Sequence, residues 1–296
     1  MKSVHEPVML REAMELLRLK PGDIVLDATT GAGGHAKEML ARITPGGRLI
    51  GLDNDADVIR IAEEDLKDFK GSFRLINDNF RNLDAALAHE SVKVLSAALF
   101  DLGVSSYQLD SGPRGFSMKK NAPLDMRMDS RSRISAYDIV NGYSQEELDA
   151  ILSKFGEERF HKKIARFIAE DRSEKPIETT GELAEIVHRA VGFRSKKSRI
   201  DPATRTFQAI RIAVNDELGA LEEGLKKVIS WLDIGGRVAV ISFHSLEDRI
   251  VKNLFKGFAE LGFLKIITRK PVQTSREEAL VNPRARSAKL RVAERI

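Results

Sequence analysis

Three aspartates and one glycine turn carry the first chemical signal in this 296-residue chain. Asp27 ends the apolar run Ile24-Val25-Leu26, and Asp53 ends Gly47-Arg48-Leu49-Ile50-Gly51-Leu52. Asp101 ends Leu95-Ser96-Ala97-Ala98-Leu99-Phe100. After the first of these runs comes Gly31-Ala32-Gly33-Gly34-His35-Ala36, which fits G-x-G-x-x-G/A. The glycine pattern alone discriminates little. Dinucleotide folds, S-adenosylmethionine folds and plain strand-to-helix turns all use glycine there.

The residues in front of the glycines separate the first two. In a dinucleotide site the strand runs straight into the first glycine, and the next helix N-terminus receives the pyrophosphate. Here Asp27-Ala28-Thr29-Thr30 intervenes. A carboxylate there repels pyrophosphate but suits the ammonium of a methionine moiety through charge-assisted hydrogen bonds. Asp53 is placed to bond ribose hydroxyls, which either cofactor needs, and Asp101 adds an acid at the edge where such folds hold ligands. Three strand-end acids around a glycine turn describe a site for a cationic ligand. They favour S-adenosylmethionine, and a dehydrogenase reading survives only if NAD binds instead.

These residues need a scaffold that brings strand ends together. The first hundred residues alternate short apolar runs (24–27, 47–53, 73–76, 95–101) with helical patterns, and a helix at 8–19 precedes them. Such alternation predicts a parallel sheet covered on both faces, an α/β Rossmann-like fold. The rhythm stops after Asp101. The chain to Ser135 is rich in Gly, Pro, Ser and Asp, and then turns helical. Ser144-x-x-Glu147 and Thr179-x-x-Glu182 are capping-box signatures that open helices at 145–155 and 180–191. Further helices are expected at 157–172 and, as one long stretch, at 203–232. Strand signals return at 237–243, 264–268 and 289–293. The economical architecture is a discontinuous sheet domain, 1–106 with 214–296, split by a helical insertion at 107–213.

Composition bounds the function. With 42% hydrophobic and 31% charged residues the chain reads as soluble and globular, and no run reaches the roughly 20 apolar residues of a membrane span. No signal core stands at the N-terminus, so a cytoplasmic address is expected. There are no cysteines, which excludes disulfides, cysteine-ligated metals and a thiolate nucleophile. The six histidines show no paired ligand spacing, and no metal site is expected. Residues 107–213 hold 20 Lys/Arg against 16 Asp/Glu, while the remainder balances at 28 of each. Arg194, Lys196, Lys197, Arg199 and Arg205 face only Asp201 in one stretch, and Arg284, Arg286, Lys289, Arg291 and Arg295 cluster in the tail. Clusters of this kind are either solvated basic loops or footprints for a phosphate backbone.

Longer motifs run nearly end to end: His5-Glu6-Pro7-Val8, Asp101-Leu102-Gly103-Val104-Ser105-Ser106, Arg114-Gly115-Phe116-Ser117, Leu124-Asp125-Met126-Arg127-Met128-Asp129, Ala203-Thr204-Arg205-Thr206-Phe207-Gln208-Ala209, Ser242-Phe243-His244-Ser245-Leu246-Glu247-Asp248-Arg249 and Asn282-Pro283-Arg284-Ala285-Arg286-Ser287. On these the chain resembles the bacterial small-subunit ribosomal RNA cytosine-N4 methyltransferases, the MraW or RsmH family. The resemblance implies S-adenosylmethionine contacts at Gly33, Gly34, His35, Asp53, Phe80, Asp101 and Gln108. It implies a substrate in small-subunit ribosomal RNA, within an assembling or assembled subunit, and no DNA partner. Tyr107 replaces the usual proline, Phe155 replaces the usual tyrosine, and the segment between Phe255 and Leu264 is short. Two residues carry open alternatives. Phe80 packs either on adenine or in the core, and His35 contributes either its ring or only its backbone N–H.

The residue types limit the reaction. Methylating pyrimidine carbon 5 generally needs a cysteine nucleophile, which is absent, whereas an exocyclic amino group can attack a sulfonium methyl directly. Such a site must aim the nitrogen and hold its hydrogens with acceptors. The amino-methyltransferase tetrapeptide Asn/Asp-Pro-Pro-aromatic is missing, and Asp101 with its loop stands in its place. Asp101 and His244 are the candidate catalytic residues. His244 either contacts the base or ties its loop to the insertion, and Asp125 with Arg127 reads as a structural ion pair. The clamp for flanking phosphates is expected on Arg194 to Arg205. A non-catalytic RNA-binding assembly factor is the reading from another class, and cofactor binding separates the two.

Overall fold

A computed structural model describes residues 7–110, 114–118, 120–192 and 201–296, so Arg194, Lys196, Lys197 and Arg199 lie outside the described residues. The described chain packs as two compact units, Met1–Gly103 with Leu218–Ile296, and Val104–Glu217. Sequence patterning had set the insertion at 107–213; packing divides the chain at Gly103/Val104 and Glu217/Leu218.

The first unit is built on strands β1 (Ile24–Asp27), β2 (Arg48–Asp53), β3 (Phe73–Asn77), β4 (Leu95–Asp101), β5 (Leu232–Ser242), β6 (Leu264–Ile266), β7 (Val272–Gln273) and β8 (Lys289–Arg295). Their order is β3-β2-β1-β4-β5-β8-β6, with β7 also paired to β8. β1 to β5 run parallel, and β8 is antiparallel to its neighbours. The sheet is an α/β, Rossmann-like one whose order reverses between β1 and β4, where open parallel sheets hold ligands beyond their carboxyl ends.

Strand alternation explains the two cores. Leu26, Ile50, Leu52, Phe100, Val238 and Val240 point to one face, and Val25, Leu49, Leu99, Ala239 and Ile241 point to the other. Both sets are buried, as expected for parallel strands covered twice. Helices of this unit are α1 (Leu10–Leu17), α2 (Gly34–Ile43), α3 (Ala56–Asp65) and α4 (Leu83–His89) before the insertion.

The second unit carries α5 (Ser106–Asp110), α6 (Ala136–Gly142), α7 (Gln145–Gly156), α8 (His161–Glu174), α9 (Thr180–Val191) and α10 (Ala203–Asn215). Its core is formed by Leu148, Leu152, Ile164, Ile168, Leu183, Val187, Phe207 and Ile210. Both expected capping boxes form: Ser144 and Thr179 each accept from the backbone three residues on, and Glu147 and Glu182 reach back. Asp125 binds Arg127 through two hydrogen bonds, Nε to Oδ1 at 2.9 Å and Nη2 to Oδ2 at 2.7 Å, the structural pair expected. The chain then returns through α11 (Glu217–Trp231), α12 (Ser245–Glu260) and α13 (Arg276–Val281).

Three local expectations differ from the structure. The stretch 203–232 is two helices, because Asp216 adopts φ 46° and ends α10. Apolar spacing reads through such a break, since one left-handed residue leaves the pattern nearly in phase. The helix expected from Glu157 begins at His161, because Glu157, at φ 46°, caps the end of α7. β5 starts at Leu232 rather than 237, with a register shift opposite Leu95 and Ala97 that admits Gly235 and Gly236. Among the described residues no helix is long and apolar enough to cross a membrane.

Candidate active site

The parallel register delivers Asp27, Asp53 and Asp101 to the same edge of the sheet: Asp27 pairs with Gly51 and Leu99, and Asp101 with Ile241. The loop after β1 is stitched to its neighbours. Ala28 N donates to Leu99 O (2.8 Å), Thr30 N to Leu52 O (2.8 Å), and Asp101 N to Thr29 Oγ1 (2.6 Å). Gly31 N donates to Asp53 Oδ2 and Asp55 N to Asp53 Oδ1, both at 2.9 Å. Asp53 therefore holds the glycine turn from the end of β2, a task that the G-x-G spacing does not disclose.

The two glycines that open α2 have different reasons to be glycine. Gly33 has φ 94° and serves as the N-cap of α2, a conformation that disfavours any Cβ. At Gly34 a Cβ would stand 2.5 Å from Cγ of Pro7, so the absent side chain makes room for the N-terminal segment.

His35 is buried, at 5% exposure, and its ring points into the protein. Nε2 lies 3.0 Å from the carbonyl oxygen of Val8. A carbonyl only accepts, so Nε2 carries the hydrogen and Nδ1 is left as an acceptor. Nδ1 faces Asp101 Oδ2 at 3.5 Å. Burial pushes His35 down to about 4, against the opposing bond to Val8, so the ring is neutral at physiological pH. A lone pair facing a carboxylate oxygen is repulsive unless the carboxyl keeps its proton.

The acid's own surroundings favour that state. Burial, then the negative charges of Asp27 and Glu247, push Asp101 well above the usual carboxylate range. Its Oδ1 is buried without a hydrogen-bond partner, yet the side chain as a whole is 24% exposed, so the group opens on one side. Asp27 is fully enclosed, with Oδ1 accepting from Thr29 N at 3.2 Å and Oδ2 without a partner. Burial raises it to about 7, partly offset by Thr29 and reinforced by Asp53. Asp53 rises to about 6, again through burial, with its backbone donors working the other way. Carboxylates held without a cation are what a cationic ligand relieves, and the cluster fits S-adenosylmethionine on that ground.

Phe80 opens a short 3-10 turn after β3. Its half-buried ring meets Phe100 edge-on, centroids 5.5 Å apart, and a Cβ at Gly224 of α11 would stand 2.8 Å from its Cδ2. Part of the ring thus packs against β4 and α11. His244 is the N-cap of α12. Glu247 N donates to its Nδ1 at 3.4 Å, and Glu247 Oε2 accepts from Phe243 N at 2.7 Å and from His244 N at 3.3 Å. Histidine in the cap position hides this box, and with it the structural task of buried Glu247, from a Ser/Thr pattern. Two of the remaining candidates belong to the second unit. There Gln108 Oε1 accepts from Ser105 N at 2.9 Å, and exposed Arg205 donates to Glu157 O at 3.0 Å.

Comparison with known proteins agrees in scope with this arrangement. Residues 2–296 match the MraW methylase family. The chain is 46% identical over 310 residues to ribosomal RNA small subunit methyltransferase H of Clostridioides difficile (strain 630), covering 99% of each chain. It is 48% identical over 292 residues to the protein of the same name in Sulfurihydrogenibium sp. (strain YO3AOP1), again covering 99% of each. With its whole length matched, the chain belongs to the MraW methylase family.

Proposed function

We propose that the protein transfers a methyl group from S-adenosylmethionine to the exocyclic N4 of a cytidine in the RNA of the small ribosomal subunit. The observation that carries this reading is the set of strand-end carboxylates, Asp27, Asp53 and Asp101, raised in pKa and without a compensating cation among the described residues.

Family resemblance assigns the cofactor contacts to Gly33, Gly34, His35, Asp53, Phe80, Asp101 and Gln108. The local geometry divides their work. Gly33 and Asp53 shape the turn, Gly34 and Phe80 act through packing, and His35 acts through Asp101. When bound, the cofactor supplies an electrophilic methyl group on a sulfonium. Its positive charge draws Asp101 toward the ionised form, which can then accept a hydrogen of the target amino group and aim the nitrogen. Neutral His35, anchored on Val8, presents its Nδ1 lone pair to Asp101, which favours the protonated acid before the cofactor binds and repels the carboxylate from the ring once it ionises. His244 supports the neighbouring wall by fixing the start of α12.

A base inside an RNA helix is out of reach, so the target must be unpaired or flipped. Arg194, Lys196, Lys197, Arg199 and Arg205 are assigned to flanking phosphates, in a cytoplasmic protein acting on the subunit. Substituting Lys196, Lys197 and Arg199 by glutamine should weaken RNA binding and flatten its salt dependence. The deciding experiment is transfer of labelled methyl to unmodified small subunits and to naked ribosomal RNA, followed by nucleoside analysis. N4-methylcytidine is the expected product. Label on another nucleoside refutes the target, and cofactor-independent RNA binding without transfer favours an assembly factor.

A further inference from the structure

The first half of α8 carries a charge pattern that its packing does not require. From Ser153 to Ala169 the chain holds five Lys/Arg (Lys154, Arg159, Lys162, Lys163, Arg166) and two acids, Glu157 and Glu158. All five cations are exposed, whereas Glu158 is buried and accepts from Phe160 N at 2.8 Å. Asp149 of α7 is taken by His161. Lys154, Arg159, Lys162 and Lys163 make no ion pair among the described residues. Arg166 meets Glu170 only at 3.5 Å, with both side chains more than half exposed. Other cations of the same unit are neutralised: Arg127 by Asp125 at 2.7 Å, Arg131 by Asp129 at 2.9 Å and Arg211 by Glu217 at 2.8 Å.

Helix physics makes this pattern costly. A helix N-terminus favours acids, and a C-terminus favours cations. α6, α7 and α9 obey, each with an acid in its first turn that completes a capping box. α8 reverses the order. His161, Lys162 and Lys163 open it, Glu170, Asp171 and Glu174 close it, and Phe160 supplies no side-chain cap. Local rules of this kind are broken where function demands it.

Aromatic rings hold the cations without neutralising them. Lys163 Nζ and the Arg166 guanidinium lie over one ring, Phe167, at 5.4 and 5.5 Å from its centroid. Lys154 Nζ lies 5.1 Å from the centroid of Phe155. A ring attracts each cation through its quadrupole but leaves the full charge in place. Exposed Arg205 donates to Glu157 O at 3.0 Å, so it stands at the same α7–α8 turn.

We infer that the end of α7, the turn after it and the first half of α8 form a surface that binds the phosphate backbone of ribosomal RNA beyond the target nucleotide. A polyanion supplies the counter-charge missing from the protein. Phosphate contacts position a nucleic acid without reading its sequence, so this surface orients the RNA and leaves the choice of base to the active site. The inference rests on the RNA reading above. All these residues belong to the helical unit, which keeps the test apart from the acid cluster of the sheet.

The test is filter binding of labelled, unmodified small-subunit ribosomal RNA across a salt titration. Wild-type protein is compared with three triple variants. The first combines Lys162→Gln, Lys163→Gln and Arg166→Gln, and the second keeps the charge with Lys162→Arg, Lys163→Arg and Arg166→Lys. The third, Arg11→Gln with Arg60→Gln and Lys67→Gln, removes three exposed cations that are paired with acids in the other unit. Three lost phosphate contacts lower the log–log salt slope by about 2, at about 0.7 each on single strands. That change is expected for the first variant, with about tenfold weaker binding at low salt and a raised KM for RNA at unchanged kcat. The other two variants should keep the wild-type slope. Cofactor calorimetry and a cooperative melt report that each variant is folded. A first variant with the wild-type slope overturns the inference and leaves the methyltransferase reading in place. Equal loss of slope in the third variant also overturns it, because net charge alone then carries the effect. Unchanged binding to naked RNA with lost transfer to assembled subunits overturns it in favour of an acidic protein surface. Wild-type protein that binds cofactor but no RNA overturns both readings.

Discussion

The strand ends of the sheet and the loops of the helical unit treat the same side chain in opposite ways. In the helical unit, aspartates are paired. Burial would raise Asp125, but the Arg127 guanidinium holds it below its usual range, and Arg131 does the same for Asp129. Backbone donors led by Glu178 hold Glu182 down at about 2. At the edge of the sheet, Asp27 is buried and Asp53 and Asp101 are half-buried, none has such a cation among the described residues, and all three are pushed up. An acid that has its counter-ion inside the protein is finished as a structural element. An acid left without one is waiting for a charge from outside, and strongly displaced pKa values gather at functional sites for that reason.

The sharpest way to break this contrast is to remove one acid from each side. Asp101→Asn should lower methyl transfer by about 100- to 1,000-fold, the scale for losing one aligned polar group in a transition state. Asp125→Asn should leave turnover near wild type and lower only thermal stability. Normal turnover and normal cofactor affinity in Asp101→Asn would erase the distinction.

A proton count is the next test. If the raised carboxylates ionise when the cation arrives, binding releases protons. Affinity for S-adenosylmethionine then tightens by about tenfold per pH unit for each proton released, as pH rises through 6 and 7. Calorimetry in two buffers of different ionisation enthalpy gives the count at pH 6.5, and a value of zero would contradict the account.

The same displacement sets opposite responses of the ligand-free units to pH. A carboxyl raised on folding, such as Asp27 at about 7, contributes stability that is complete below its unfolded value of about 3.9 and is lost as pH rises through 7. A carboxyl lowered on folding, such as Asp125, contributes stability above that value and loses it in acid. Asp27→Asn should therefore stabilise the ligand-free protein at pH 8 by at least about 1.4 kcal/mol, one pKa unit's worth, and do little at pH 4. Melting temperatures at the two pH values decide it. The smallest effect belongs to Ser144→Ala, which removes a cap in the helical unit and should cost about 1 kcal/mol without changing cofactor affinity.

Much of this was legible in the residues themselves. Strand ends at Asp27, Asp53 and Asp101 follow from apolar runs that stop at turn residues, and the capping boxes follow from Ser144 and Thr179. What stayed hidden depends on tertiary contact or on one residue's backbone. No spacing reveals that the His35 ring leaves the glycine turn to face Asp101, or that Gly34 exists to admit Pro7. Asp216 and Glu157 end helices from a left-handed conformation that neither residue advertises. Phe80 satisfies both the adenine pattern and the core pattern, and no spacing reveals its contact with Phe100.

The sheet's connectivity has a consequence for how the molecule is made. β4 is buried almost throughout, yet its neighbour β5 lies beyond the whole of Val104–Glu217 in the chain. During synthesis at about 5–20 residues per second, an apolar strand edge stays bare for on the order of ten seconds. Such an edge is a template for pairing with other chains, and non-local pairings form slowly even when the partner exists. β8, which separates β5 from β6, arrives last of all. The half of the sheet that holds the acids is thus exposed to aggregation for as long as the helical unit takes to emerge, and slowing translation through that unit should lower the soluble yield.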